Sequence, residues 1–131
     1  GSSEKHGTAE DPFNAEERRD MIQRALQGVD IIPQFDVTIV NLSDHESDKE
    51  WTKHALETVG EIDIVWTGNE WTKKCFEKVG IPIKEIKEVP GISGTEVRKQ
   101  IKEDGLWDEL VPDEVRASIK SVDGVQRIKK L

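Results

Sequence analysis

The sequence predicts an α/β fold, a parallel sheet flanked by helices on both faces, and two observations carry that prediction. Short runs rich in β-branched residues, such as "FDVTIVNL" (35–42) and "IDIVWT" (62–67), alternate with longer stretches whose apolar residues recur at helical spacing. Most of the helical stretches also carry their own punctuation, opening on a side chain able to cap a helix and stopping at glycine. One-for-one alternation of this kind is the pattern of right-handed parallel crossovers.

The elements follow in order. Asn14-Ala15-Glu16-Glu17 has the spacing of a capping box, and the helix behind it runs on Met21, Ile22, Ala25 and Leu26 to Gly28. The strand over 35–42 leads through the polar "SDHESDKE" (43–50) into a helix around Trp51, Ala55, Leu56 and Val59, stopped by Gly60. The strand over 62–67 is followed by Asn69, which caps a helix carrying Trp71, Cys75, Phe76 and Val79 up to Gly80. "IPIKEIKEV" (81–89) alternates more weakly, as an edge strand does, with Pro82 at its start. Then "ISGTEVRKQIKE" (92–103) reads as a helix ended by Asp104-Gly105, and Trp107 and Leu110 as a linking turn. Pro112 opens a last helix through Val115, Ile119 and Val122, ending at Gly124. Three strands against five helices leave too little sheet, so at least one strand is expected to be absent from the N-terminal side.

At 131 residues the chain has the size of one domain, 1–131, with enough length to bury a core. Its net charge of -8 discourages nucleic-acid and anionic-membrane partners, so an anionic ligand must be met by local arginines, backbone amides or a cation. No apolar run approaches the roughly 20 residues that cross a bilayer. The single cysteine, Cys75, predicts a reducing compartment, the cytoplasm, and on the apolar stripe of its helix it reads as a buried thiol. His6, His45 and His54 show no metal-ligand spacing with it, and the acidic run 44–50 lacks the glycine and terminal glutamate of an EF-hand loop, so no protein metal site is expected.

In an open parallel sheet, ligands gather beyond the carboxyl ends of the strands, which directs attention to Asn41–His45, Thr67-Gly68-Asn69 and Val89–Arg98. Ser93-Gly94-Thr95-Glu96 has capping-box spacing, and Gly94 leaves the amides of the helix start open to an anion. Thr95 and Arg98 share a helical face, so a hydroxyl and a guanidinium can converge on one oxyanion. Two readings stay open for this stretch, a capped helix with a solvated arginine or a phosphate cradle. Thr67-Gly68-Asn69 is likewise a turn or a ligand loop, and Trp51 a core residue or a stacking platform.

Taken together, "GSSEKHGTAEDPFNAEER", "DHESDKEW", "VWTGNEW", "ISGTEVRKQI" and "LWDELVPDEVRASIKSVDGVQRIKKL" resemble, in order and spacing, the archaeal-type nicotinamide mononucleotide (NMN) adenylyltransferases. The resemblance covers essentially the whole chain, and ISGTEVR is similar to the I-S-S-T-x-x-R signature of the wider nucleotidylyltransferase superfamily. It implies a Rossmann-like nucleotidylyltransferase fold. It also implies transfer of AMP from ATP to NMN, giving NAD and pyrophosphate by in-line attack, with Mg²⁺ accompanying ATP and no covalent enzyme intermediate. Carried over, Ser93, Gly94, Thr95 and Arg98 would hold the ATP phosphates, with Arg98 catalytic; Thr67, Gly68 and Asn69 would line the adenosine pocket; and Arg18, Asp44 and Trp51 would bind NMN, Trp51 by stacking on nicotinamide. A homo-oligomer is implied as well. The superfamily's H-x-G-H motif occurs nowhere in the chain. In the family it lies upstream of the segment matched by Gly1-Ser2, which otherwise read as a tag scar, so the chain is expected to be N-terminally incomplete by roughly two strands and a helix. The alternatives are a related adenylyl- or cytidylyltransferase with another phosphate acceptor, and a nucleotide-binding module or subunit without catalysis.

Overall fold

The computed structural model describes residues 3–29 and 37–131 of the chain. In chain order its elements are α1 (Ala15–Gln27), α2 (Asp48–Val59), β1 (Val65–Thr67), α3 (Glu70–Glu77), β2 (Ile83–Glu85), α4 (Gly94–Lys102), a 3-10 turn (Trp107–Glu109), α5 (Asp113–Ser121) and α6 (Gly124–Lys130). This is the expected mixed α/β architecture with a parallel sheet. The residues gather into two compact units, a contiguous one of Val40–Pro90 and a split one of Ser3–Ile39 with Gly91–Leu131.

The split unit is helical. Asn14 Oδ1 accepts the Glu17 N–H at 2.8 Å and Glu17 Oε2 accepts the Asn14 N–H at 3.0 Å, completing the predicted box. The same carboxylate receives Arg127 of α6, with Nη1 2.6 Å from Oε1 and Nη2 3.0 Å from Oε2. That guanidinium also donates to the Pro12 carbonyl at 3.0 Å and lies 5.3 Å from the Phe13 ring centre. The hydrogen bond from Arg127 holds Glu17 below the usual carboxylate range, against the opposing pull of burial. Around this clasp Phe13, Met21, Ile101, Ile119 and Ile128 form the core, with Val97, Trp107 and Val115 packed against it.

One expectation fails at the end of the chain. Gly124 does not end the last helix; α5 stops at Ser121, Asp123 turns through the left-handed region at φ 54°, and Gly124 opens α6. The glycine serves packing. A Cβ there would lie 2.8 Å from both Cγ2 and the carbonyl oxygen of Ile119 and 2.9 Å from Phe13 Cζ, so the backbone of α6 sits directly against two core side chains. Elsewhere the stops hold: Gly105 N–H caps Gln100 O at 2.8 Å after α4, and the 3-10 turn forms at Trp107 as expected.

In the contiguous unit β1 and β2 pair in parallel, with Val65 opposite Ile83 and Thr67 opposite Glu85, and α3 crosses between them. Asn69 Oδ1 caps α3 through the Thr72 N–H at 3.0 Å, Ser47 Oγ caps α2 through the Glu50 N–H at 3.1 Å, and Gly60 and Gly80 follow the two helices at positive φ. Ala55, Cys75 and Phe76 are buried, so the cysteine is the core thiol the sequence predicted. Both strands are shorter than expected because, among the described residues, each has one partner and the ladder ends where that partner leaves, at Val65 N–H to Pro82 O and Ile86 N–H to Thr67 O. Of the strand expected over 35–42, Phe35 and Asp36 lie outside the described residues, and 37–42 forms no strand. Val37 and Val40 are exposed there, and β-branched composition supplies no partner backbone.

Two outcomes follow for stability. Gly124→Ala should destabilise the protein by about 1–3 kcal/mol through overpacking, despite alanine's better helix propensity, as read by urea denaturation. Glu17→Gln keeps an acceptor for the cap but removes the charge. Its deficit, about 1–2 kcal/mol after allowance for the partly exposed guanidinium, should be full above the unfolded carboxylate pKa. Because the folded pKa is lowered, the parent loses this advantage as pH falls through it, and melting temperatures should converge at acid pH.

Candidate functional site

In the split unit, α4 begins where the sequence placed it. Ser93 Oγ accepts the Glu96 N–H at 3.1 Å, but the other half of the predicted box is absent, since the Glu96 carboxylate accepts from Gln100 Nε2 at 2.9 Å. One turn on, Arg98 Nη2 donates to Thr95 Oγ1 at 3.3 Å, and a Cβ on Gly94 would come within 3.1 Å of Arg98 Nη1. The guanidinium therefore folds back over the helix start, where the first amides have no helical acceptor and the dipole is positive. Both features favour an oxyanion. Ser93, Gly94 and Arg98 line a cavity of about 410 Å³ with Arg18, Phe13 and Ile101. Arg18 is held from behind, donating from Nε to Asn14 O at 3.3 Å and from Nη2 to Lys5 O at 3.4 Å. Two guanidiniums and a helix start thus share one opening, although Glu10 and Asp11 stand at it too.

In the contiguous unit a second cavity, of about 450 Å³, is lined by Leu42, Asp44, Trp51, Asn69, Trp71 and Thr72 among others. Trp51 packs on Trp71 with ring centres 4.7 Å apart, and edge-on against buried Phe76 at 5.8 Å. Its place is that of a braced ring at the cavity wall. Thr67 Oγ1 accepts the Asn69 N–H at 3.1 Å, and Gly68 lets the turn pass Ile86 O, which a Cβ would approach to 3.2 Å. A third cavity of about 770 Å³, beside Thr52, Leu56, Cys75 and Val79, contains none of the predicted site residues.

The structure groups the predicted residues by compact unit. Arg18, expected with Asp44 and Trp51, opens onto the cavity of Ser93, Gly94 and Arg98, with Thr95 bonded to Arg98 beside it; Asn69, expected with Thr67 and Gly68, lines the cavity of Asp44 and Trp51. Trp71 and Asp48 were not singled out. Trp71 is 42% exposed and donates from Nε1 to Asp48 Oδ1 at 2.7 Å, and the available signal was its position in the first turn after a strand end. The His45 and His54 rings lie 4.8 Å apart, tilted by 48°, and among the described residues no group of three or more His, Cys, Asp or Glu side chains is placed to hold a metal ion. No described helix is long and apolar enough to cross a membrane.

No protein-family model matches the chain. Individual relatives do. Over its full length it is 35% identical to a nicotinamide-nucleotide adenylyltransferase of Thermococcus sibiricus, covering 71% of that protein. It is 33% identical to the enzyme of that name from Methanosarcina mazei and 31% identical to that of Methanococcus maripaludis, covering 75% of each. The sequence resemblance and these full-length matches agree, and the chain belongs to the nicotinamide-nucleotide adenylyltransferases.

Proposed function

We propose that this chain binds ATP and NMN and transfers AMP between them, giving NAD and pyrophosphate. The observation that carries the reading is the convergence of Arg18, Arg98 and the start of α4 on one opening, a set of donors suited to polyphosphate in a protein of net charge -8. An oxygen of the NMN phosphate forms the new bond to the α-phosphorus of ATP as the bond to pyrophosphate breaks. Negative charge then builds on the departing oxygens, where Arg98, Thr95 and Ser93 can meet it without a covalent intermediate. Arg98 has the catalytic role in this scheme and Arg18 holds a substrate phosphate. Thr67, Gly68 and Asn69 face adenosine, while Asp44 and Trp51 face the nicotinamide. Mg²⁺ would come with ATP and offset phosphate charge when bound. We also read the protein as a cytoplasmic homo-oligomer with no nucleic-acid or membrane partner.

A second reading is a module that holds nucleotides without turnover. Incubation with ATP, Mg²⁺ and NMN separates the two. NAD and pyrophosphate are the expected products; binding of both nucleotides with no product supports the module, and turnover only with another phosphate acceptor supports a sister enzyme. Arg98→Ala should weaken ATP binding by about tenfold or more, as titration calorimetry would read, because hydrogen bonds between charged groups contribute about 1.5–3 kcal/mol. Unchanged affinity would remove Arg98 from the phosphate site.

A further inference from the structure

Trp71 is the residue whose placement the family reading leaves unexplained. An indole in the first turn of α3 would ordinarily turn inward beside Cys75 and Phe76, which are 2% and 5% exposed, yet Trp71 stays 42% exposed. Its N–H is anchored by Asp48, the first residue of α2, one turn before Trp51 on the same helix. That bond joins α2 to α3 and fixes the indole against Trp51 at an interplanar angle of 58°. Two aromatic rings at that angle make a corner, in which a planar ligand ring can stack on one wall and present its edge to the other. The faces of both indoles are electron-rich, and Asp44 adds a carboxylate to the same cavity. The corner is therefore matched to a ring that is both planar and positively charged.

We infer that Trp71, positioned by Asp48, is the second aromatic wall of the acceptor site and selects the cationic pyridinium over a neutral ring. This rests on the reading of the chain as an NMN-binding enzyme. It extends that reading to a residue that the sequence placed on an apolar stripe, and it identifies ring charge as the property being sensed.

The test uses two acceptors that share the ribose phosphate and carboxamide, NMN and its reduced dihydropyridine form, titrated calorimetrically into the full chain alongside ATP. The parent should favour NMN. Trp71→Leu should raise the Kd for NMN about five- to tenfold, in line with cation–π contributions, narrow the ratio between the two acceptors and leave the Kd for ATP unchanged. Trp71→Phe, which keeps an aromatic face but loses the N–H that Asp48 anchors, should retain only part of the preference. Parent-like NMN affinity and selectivity in Trp71→Leu would overturn the inference alone, as would equal losses for NMN and ATP. A parent that binds no NMN would overturn the functional reading and this inference with it.

Discussion

The split unit depends on the clasp between Arg127 and Glu17. Two parallel N–H to carboxylate bonds join α6 to the first turn of α1 across 110 residues of sequence, and the same guanidinium holds the Pro12 carbonyl. A half-buried ion pair is costly when its remaining hydrogen-bonding capacity is wasted. Here the carboxylate also caps α1 and the guanidinium also lies over Phe13, so most of that capacity is used. Phe13 is thereby fixed against α6, and the next residue in contact is Gly124, which has no side chain to obstruct it. Arg18 follows Glu17 in the first turn of α1 and opens on the cavity that Ser93, Gly94 and Arg98 line.

Local signals were legible because they are decided within a few residues. Asn14, Asn69 and Ser93 each cap the helix they were expected to cap, since a short polar side chain and a free amide three residues on need nothing else. The failures have the opposite character. Glu96 has the spacing of a box but a competing partner in Gln100, and Gly124 has the look of a stop but stands at a contact with Ile119 and Phe13 that no local pattern encodes. Residues 37–42 have strand composition, and a strand is a relation between two backbones.

The candidate site divides along the same line. Ser93, Thr95 and Arg98 lie within two turns of one helix, and their convergence could be read from spacing alone. The bond between Trp71 and Asp48 spans 23 residues and two helices, so neither residue declares it. Arg18 was singled out only through the family resemblance; that it opens on the same cavity as Arg98 came with the tertiary packing of their unit.

The residues that line the aromatic corner all belong to one uninterrupted stretch, Val40–Pro90, whereas the cavity of Arg18 and Arg98 is assembled from both flanks of the sequence. Recombination or gene design can therefore treat the corner as a cassette. Exchanging that single internal segment between relatives would replace every residue that lines the corner, without altering a codon of Arg18 or Arg98.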